Sequence, residues 1–442
     1  MSTQDNRNLN FDKEYDIVII GAGIGGLLTA ANLVKTGKKV CIIEKLGFIG
    51  GRFTSIPYKG FEISTGALHL LPHGGTGPMG KMLRRLTQQS FIKLKNNYFL
   101  RKNRNEIQIK KGIPSYVDSM LKDRLRVVSA TLKYVQDGRP TNYSALEYLT
   151  EGKVSEDTIA HLRKFTNFTL SMDLDEISAY QLGNVSRNFI RYWKPGLIKG
   201  GCGHVIEKLI KLLEVGNIKL RTNIMAQKII IEDGAVIGVV ASKTINHGSE
   251  NNEIKLKTKN IVSDIGPKAT AGLIPNDEKD DIFWSNIKNI REAKGFKFHL
   301  KVKKLPVKDA GVVFPLQSLR IGGFSVVSNG DRSLAPKNSN LLIAHAILKS
   351  KNTTREVEMG ISDLEKILGS NFKYEDILSI GIFKDTWPVN RAKHGDDVSF
   401  STPIKGLYLV GDGCKPLGFP MAEGVANSVN NLLKHTDLLK QT

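Results

Sequence analysis

The stretch that decides the fold of this chain is residues 17–26, IVIIGAGIGG, which a helical pattern follows over residues 27–35. An apolar run that leads through G-x-G-x-x-G into a helix is typical of a strand, a tight turn and a helix that bind a dinucleotide. In this motif Gly21 allows the sharp turn, Gly23 lets a diphosphate approach the backbone, and Gly26 lets helix and strand pack closely. The start of the helix then offers free N–H groups and a partial positive charge to the phosphates.

A second apolar run follows the helix at residues 40–43, and Glu44 closes it. A carboxylate about twenty residues after the glycines accepts hydrogen bonds from the ribose hydroxyls of a bound dinucleotide. A glycine-rich turn in an ordinary α/β protein would not explain why an acid ends the second strand. We therefore predict a dinucleotide site with these candidate ligands: Gly21, Gly23, Ile24, Gly25, Gly26, Glu44 and Lys45.

The next residues, Gly50-Gly51-Arg52, extend this motif. With this extension the sequence resembles the flavoprotein family of amine oxidases, protoporphyrinogen oxidases and phytoene desaturases. The resemblance implies that Gly50, Gly51 and Arg52 lie along the diphosphate of FAD, an element that a plain NAD dehydrogenase does not need. The alternative for Arg52 is a surface arginine without a ligand.

The C-terminal stretch carries a second motif, GLYLVGD, which ends at Asp412 and is followed by MAEGVA over residues 421–426. The first piece predicts a strand that ends in Gly-Asp, and the second predicts the start of the last helix. Together they resemble the FAD-closing motif of the same family, which implies that Gly411 and Asp412 contact the diphosphate and ribitol. The resemblance also places the helix start, at Met421 and Ala422, against the pyrimidine edge of the flavin. A helix N-terminus stabilises negative charge there.

Other site residues follow from the same resemblance. It implies that the loop containing Gly66 passes under the flavin ring, with His69 near the active site, and that the strand at Met225 contacts adenine. It also makes Trp387 and Phe419 candidates for the substrate face of the flavin. Core packing is the alternative explanation for each of these aromatic and histidine side chains. The catalytic candidates are therefore His69, Trp387 and Phe419, and the general base stays open.

At 442 residues the chain is long enough for two domains with substantial cores. The predicted fold class is α/β, with a Rossmann-like FAD-binding domain and a discontinuous second α+β substrate domain that contains a mixed or antiparallel sheet plus helices. We expect a disordered tail over residues 1–14. The predicted FAD-binding domain comprises residues 15–89, 196–269 and 386–442, and the predicted substrate or cap domain comprises residues 90–195 and 270–385.

The second domain shows one clear strand pattern, residues 296–302, FKFHLKV, whose alternation predicts a half-exposed strand. In the first domain, Asp233-Gly234 predicts a hairpin turn between two strands. Further predicted elements are helices near residues 116–125, 145–149, 156–170 and 355–368 and strands near residues 312–314, 324–327 and 341–346.

The net charge is +21, from 64 Lys and Arg against 43 Asp and Glu. Such a field favours nucleic acid, an anionic membrane surface or acidic partners. No zinc-finger spacing or aromatic RNA-binding strand pattern is present in the sequence, so we expect no nucleic-acid partner. The basic residues are densest over residues 81–111, and the alternatives there are a solvated surface and peripheral contact with anionic lipid. We expect a cytoplasmic protein, with peripheral membrane attachment left open.

The three cysteines, Cys41, Cys202 and Cys414, lie far apart in the sequence and form no C-x-x-C pair. This spacing predicts a reducing compartment, without a disulfide framework or a structural metal. Cys414 lacks the sequence context in which relatives attach flavin covalently, so the expected cofactor is non-covalent FAD.

No second βαβ fingerprint is present, so FAD is expected to carry the chemistry without a separate NAD(P)H-binding domain. The first hypothesis is an enzyme of the phytoene desaturase type that removes or adds hydrogen at a carbon–carbon bond of an apolar, isoprenoid-like substrate. Its electron acceptor stays open between oxygen and a quinone. The second hypothesis is an amine oxidase or protoporphyrinogen oxidase. The third is a flavin-free binder of prenylated proteins resembling a Rab GDP-dissociation inhibitor, which the intact glycine motifs and Glu44 disfavour.

Overall fold

The computed structural model describes most of the chain. The described residues are 10–66, 68–94, 98–103, 106–111, 143–191, 195–244, 253–279, 281–303, 305, 307, 309–384, 393 and 395–440. Three of the expectations lie outside this part of the chain: the first nine residues of the tail, the helix near residues 116–125, and Trp387.

The described part of the chain contains both helices and strands. The helices are α1 Ile24–Leu33, α2 Pro78–Thr87, α3 Ala145–Glu151, α4 Glu156–Leu170, α5 Ala179–Arg191, α6 Gly201–Val215, α7 Pro267–Gly272, α8 Ile282–Lys288, α9 Thr353–Leu368 and α10 Met421–His435. The strands are β1 Lys13–Glu14, β2 Ile17–Ile20, β3 Val40–Ile43, β4 Ser55–Tyr58, β5 Phe61–Ser64, β6 His69–Leu70, β7 Phe91–Lys93, β8 Tyr98–Asn103, β9 Glu106–Lys111, β10 Gly196–Ile198, β11 Lys219–Arg221, β12 Ile224–Glu232, β13 Ala235–Lys243, β14 Glu253–Lys257, β15 Ile261–Ser263, β16 Gly295–Val302, β17 Val313–Pro315, β18 Ile321–Val326, β19 Asn340–Ile347, β20 Ile377–Phe383 and β21 Leu407–Leu409.

A five-stranded parallel sheet forms the centre of the first domain, in the order β11-β3-β2-β15-β21. Every residue of β2 and β3 is buried, which is why these strands read as continuous apolar runs. The helix α1 packs on this sheet together with α6 and α10, and their apolar side chains form one core cluster. The predicted Rossmann-like domain is therefore confirmed at its centre.

The glycine turn between β2 and α1 is set by backbone geometry. Gly21 has φ +100°, a left-handed conformation that side chains other than glycine rarely adopt. A Cβ atom on Gly26 would overlap the carbonyl oxygen of Gly21, so the helix can pack this closely only with glycine there. The helix begins at Ile24, three residues before the predicted start, because the N–H of Leu27 donates to the Gly23 carbonyl oxygen over 3.0 Å.

A seven-stranded mixed sheet forms the second unit, in the order β20-β16-β19-β18-β17-β8-β9. Its pairings are antiparallel except for the parallel pair β17 and β8. The strands come from two separate stretches of the chain, residues 98–111 and 295–383, as a discontinuous domain requires. The helix α9 covers one face, where Phe296 and Phe298 lie against Gly360. The detailed domain boundaries stay a prediction.

The expectation of a half-exposed strand over residues 296–302 is wrong. The strand β16 lies between β20 and β19, and Lys297 and His299 are only 6% and 1% exposed. The face that carries these polar side chains is covered by the first domain, since the Lys297 Nζ donates to the carbonyl oxygens of Ser64 and Gly66. The alternation in the sequence thus separates two buried faces, one apolar and one polar.

The predicted N-terminal tail is partly wrong, and the predicted hairpin at Asp233-Gly234 is confirmed. The predicted tail extends too far, because Lys13 and Glu14 form β1, which pairs with β14 in parallel. The backbone N–H of Asp12 also donates to Lys255. The predicted hairpin is confirmed, with Asp233 and Gly234 at φ +50° and +70° between β12 and β13. No helix among the described residues has the length and apolar character needed to span a bilayer.

The packing at Gly26 gives a testable prediction. Replacing Gly26 by Ala should destabilise the fold by about 1–3 kcal/mol, because the new Cβ would overlap the Gly21 carbonyl in a packed interior. The matched control is Gly272→Ala in α7, where a Cβ would meet nothing within 4 Å. Chemical denaturation of both variants measures the effect. Equal denaturation midpoints for both variants and the unmodified chain would show that this close approach does not constrain the fold.

Candidate functional site

The two glycine motifs at opposite ends of the sequence meet at one edge of the parallel sheet. β2, β15 and β21 are neighbours in that order, and their carboxyl ends lead to Gly21, Asp264 and Gly411. A Cβ on Gly25 would lie 3.1 Å from the Cα of Gly411, so the two motifs are in close contact. The Gly411 N–H donates to the Ser428 hydroxyl of α10 over 3.0 Å, which fixes the Gly-Asp turn against the last helix.

The side chain of Asp264 lies between these motifs. Its Oδ2 accepts the Gly26 N–H over 2.8 Å, and a Cβ on Gly23, Gly25 or Gly411 would clash with its carboxylate oxygens. Burial raises the pKa of Asp264 to about 7, against the lowering effects of the Gly26 N–H and of Arg52. The sequence analysis did not single out Asp264. The signal available was an acid directly after a strand of the parallel sheet.

Glu44 lies at the end of β3, beside the glycine loop. Its Oε2 accepts the Ala22 N–H and its Oε1 accepts the Leu46 N–H, each over 2.8 Å. The Glu44 carbonyl accepts the N–H of Ile224 over 2.8 Å, which brings Met225 next to the same corner. Met225 is 38% exposed, so a ligand can reach it. The structure therefore brings together the residues that the resemblance assigned to ribose and adenine.

A chain of ion pairs joins the Gly-Gly-Arg motif to the Gly-Asp motif. Arg52 Nη1 lies 2.8 Å from Asp412 Oδ2. Lys415 contacts the other oxygen of Asp412 and also pairs with Asp397 over 2.8 Å. Burial by itself lowers the pKa of Lys415, but the Asp397 and Asp412 carboxylates outweigh it and raise that pKa above its usual value. Lys415 and Asp397 were not foreseen, because no local motif marks them.

Gly50 and Gly51 lie against the glycine loop. The N–H of Gly50 donates to the Ala22 carbonyl over 2.8 Å, and Gly50 pairs with Gly23 as an isolated bridge. Both Gly50 and Gly51 have positive φ angles, +97° and +53°. This conformation keeps the chain against the glycine loop, and Arg52 follows directly.

The loop after β5 carries Gly66, which the sequence analysis placed under the flavin. A Cβ on Gly66 would overlap the carbonyl oxygen of Arg52, so contacts within the protein already require glycine there. Lys297 Nζ donates to the Gly66 carbonyl over 3.2 Å and also contacts the Ser64 carbonyl. Sequence reasoning missed Lys297, because its strand was expected to expose it. The structure thus places a buried cation beside this loop.

His69 is buried in β6, with its Nε2 3.4 Å from the Ala310 carbonyl oxygen. Burial lowers the pKa of His69 to about 4, which the hydrogen bond to Ala310 only partly offsets. Its ring also packs edge-on against Phe168, with 5.9 Å between the ring centroids. His69 is therefore uncharged at neutral pH and makes a poor proton acceptor there.

Phe419 lies next to two titratable groups at the start of α10. Its ring stacks on His73 with 5.9 Å between centroids and 19° between planes. Glu423, 1% exposed, accepts the Met79 N–H at Oε2 over 3.0 Å and places Oε1 3.9 Å from the Nδ1 of His73. Burial raises the pKa of Glu423 to about 8. Burial and the charge of Lys81 lower the pKa of His73, so both partners are uncharged near neutral pH.

Most predicted site residues lie together around the glycine loop, in a cradle at the carboxyl ends of β2, β15 and β21. Within the described residues, the cradle holds Gly21, Gly23, Ile24, Gly25, Gly26, Glu44, Gly50, Gly51, Arg52, Gly411 and Asp412. Lys45 is exposed beside Glu44, and Met421 and Ala422 begin α10. No group of three or more metal-ligating side chains occurs in the described part of the chain. An open surface cleft of about 470 Å³ beside α8 contains none of the predicted ligands.

Comparison with known proteins agrees with this geometry. Residues 19–86 match the family model for an NAD(P)-binding Rossmann-like domain. The chain is 30% identical to the uncharacterized protein MJ1488 of Methanocaldococcus jannaschii, over 96% of this chain and 100% of that protein. It is 24% identical to a limonene dehydrogenase polypeptide of Castellaniella defragrans, over 60% of this chain and 54% of that protein. A solved oxidoreductase from Methanosarcina mazei is 30% identical, with a TM-score of 0.81 over 95% of this chain and 99% of that one.

The fold and the relatives define an oxidoreductase built on a Rossmann-like domain. The chain belongs to the same family as MJ1488 and the Methanosarcina mazei oxidoreductase, each 30% identical to it over nearly the whole chain. Over 62 residues it is also 47% identical to a phytoene desaturase of Fusarium fujikuroi, as the sequence motifs indicated.

Glu423 gives a prediction on pH dependence. Its pKa is about 8 in the folded protein against an ordinary value of 4.5, so the fold binds a proton that the unfolded chain releases. Stability should therefore fall as pH rises from 4.5 to 8, and Glu423→Gln, which keeps an acceptor for Met79, should lose less.

Between about pH 5.5 and about pH 8.5, the free energy of unfolding should fall less for Glu423→Gln than for the unmodified chain, by at least about 1 kcal/mol. One unit of pKa shift corresponds to about 1.4 kcal/mol. Thermal denaturation of the variant and the unmodified chain at about pH 5.5 and about pH 8.5 measures it. Glu375→Gln, whose side chain is 77% exposed, serves as the control. Parallel pH profiles for all three proteins would contradict the assignment.

Proposed function

We propose that this chain binds FAD non-covalently and uses it to remove or add hydrogen at a carbon–carbon bond of an apolar, isoprenoid-like substrate. One observation carries the proposal. The loop from Gly21 to Gly26, the Arg52 side chain and the Gly411-Asp412 turn form a single cradle at the carboxyl ends of neighbouring parallel strands. Ligands of open α/β sheets bind at this edge.

The residues present fit a dinucleotide. The first turn of α1 has no side-chain cap at Gly23, which is only partly buried, so a diphosphate can approach the helix N-terminus there. Arg52, oriented by Asp412, would supply a guanidinium to a phosphate oxygen. Glu44 keeps lone pairs for ribose hydroxyls beyond the two N–H groups that it accepts. FAD, when bound, supplies the two-electron chemistry that no side chain of the protein offers.

The protein's own groups would then hold the substrate and move protons. Lys297 places a buried ammonium beside the Gly66 loop, held there by backbone carbonyls. Glu423 keeps its proton at neutral pH, and its Oε1 has no hydrogen-bond partner among the described residues. A buried acid that carries a proton can give it up or take it back during a reaction. Glu423 is thus a better candidate for proton transfer than His69, whose pKa is about 4.

The proposed substrate class rests on two observations. The similarity to the limonene dehydrogenase polypeptide extends over 60% of this chain, and limonene is an apolar isoprenoid. The buried groups His69 and Glu423 are uncharged at neutral pH, so they do not require a charged substrate to balance them. An apolar molecule fits such surroundings better than an amine does.

Purification followed by anaerobic mixing tests the function. The protein should carry yellow flavin that acid or heat releases as FAD. Under anaerobic conditions an apolar polyene or monoterpene that loses hydrogen should bleach the flavin absorbance, and oxygen or a quinone should restore it. One that gains hydrogen should instead restore the absorbance of flavin that dithionite has reduced. A colourless protein that takes up no FAD would overturn the proposal. Bleaching by an amine or a porphyrinogen in place of the isoprenoid would overturn the substrate class.

Glu44 gives a prediction on affinity. Glu44→Ala should weaken FAD binding by about 1–3 kcal/mol, because ribose hydroxyls would be left without their acceptor. Glu44→Gln keeps one carbonyl oxygen and should lose less. Fluorescence titration of cofactor-free protein with FAD measures both. Glu14→Ala, with a side chain 70% exposed, is the control, and equal FAD affinities for all of these proteins would show that Glu44 is not the ribose ligand.

An apolar substrate partitions into lipid, which gives a prediction on membrane contact. Lys81, Arg84 and Arg85 are exposed on α2, and each basic residue near an anionic leaflet contributes roughly 1 kcal/mol. The chain should therefore co-sediment with anionic vesicles and less with neutral ones. Binding should weaken as salt rises, because charges are screened over about 10 Å at 0.1 M. Equally low binding to both vesicles would leave the basic charge as a solvated surface.

A further inference from the structure

The carboxylate of Asp264 lies where a phosphate of the cofactor would have to approach. It accepts the Gly26 N–H, the type of backbone donor that a dinucleotide diphosphate uses at the start of such a helix. It also fills the space beside Gly23, Gly25 and Gly411, at the centre of the cradle. Asp264 is only partly buried, so a ligand entering the cradle can reach it.

The charges around Asp264 do not favour another anion. Glu44 and Asp412 raise its pKa, and Arg52 lowers it. Arg52 is itself paired with Asp412, whose second oxygen contacts Lys415. The Cys414 thiol also faces this group, and burial keeps it protonated by raising its pKa well above the usual value. An ionised Asp264 would therefore add a third carboxylate, after Glu44 and Asp412, beside an incoming diphosphate.

We propose that Asp264 binds the cofactor diphosphate as a protonated carboxylic acid, which donates a hydrogen bond to a phosphate oxygen, so that FAD binding takes up one proton from solvent. A carboxyl kept neutral in this way can act as a hydrogen-bond donor where its anion would repel the ligand. The inference rests on the proposed binding of FAD. It names Asp264 as a further binding residue and couples binding to the uptake of one proton.

The direction of the pH effect follows from the free protein. Burial raises the pKa of Asp264 to about 7, so the carboxyl is mostly protonated below that pH. Above it, FAD binding must first protonate the carboxylate, which costs free energy. Affinity for FAD should fall about tenfold for each pH unit above 7. Between about pH 6 and about pH 8.5 the dissociation constant should rise about thirtyfold.

Fluorescence titration of the cofactor-free full chain with FAD tests this at both pH values. Asp264→Asn, which always carries a donor, should bind FAD with little pH dependence and more tightly than the unmodified chain at about pH 8.5. Asp277→Asn, which changes an exposed carboxylate, should keep the pH dependence of the unmodified chain.

The outcomes separate the two proposals. Failure of the unmodified chain to bind FAD at any pH would refute the proposed function itself. Binding with the same pH dependence in Asp264→Asn as in the unmodified chain would overturn the role of Asp264 alone. Calorimetry of the unmodified chain in phosphate and in Tris at about pH 8 gives the number of protons taken up, without any variant that must fold. Uptake of about one proton supports the proposal, and zero uptake overturns it.

Discussion

The contact between Arg52 and Asp412 connects two motifs that lie at opposite ends of the chain. Its 2.8 Å distance places a guanidinium from the first Rossmann unit on a carboxylate that follows the last strand of the sheet. Lys415 and Asp397 complete the network behind it, with the Lys415 side chain only 3% exposed. Removing one partner of such a buried network leaves an uncompensated charge, which is strongly destabilising. The cradle therefore depends on both ends of the chain being folded together.

The order of the strands explains why these groups meet. β15 lies between β2 and β21, so the residues that follow the three strands, Gly21, Asp264 and Gly411, occupy one edge of the sheet. The long excursions between these strands return the chain to the same edge each time. The polar face of β16 then lies against the first domain, which brings Lys297 to the loop at Gly66. Sheet order thus assembles residues whose sequence positions show no relation.

The parts of the site that could be predicted are those encoded by local backbone chemistry. Glycines at Gly21 and Gly26 are required by a positive φ and by a close approach, and such requirements leave a signature in a short stretch of sequence. The parts that could not be predicted depend on tertiary contacts. Asp264 gains its environment from two distant loops, and Glu423 gains its high pKa from burial against α2. The same holds for the strand β16. Its alternating sequence predicts one apolar and one polar face, but it does not predict that the other domain covers Lys297 and His299 on the polar face.

The two regions of the proposed site differ in charge, and this difference suits their proposed tasks. The cradle gathers Glu44, Asp264 and Asp412 around Arg52, so an anionic diphosphate suits it only with the guanidinium of Arg52 as a partner and with Asp264 in its protonated form. The region near β6 and the start of α10 instead holds His69 and Glu423 in their uncharged forms. Because uncharged groups cost less to bury, that region can exclude water around an apolar substrate while keeping a proton available. Charge is thus concentrated where a diphosphate would bind and is low where carbon–hydrogen chemistry would take place.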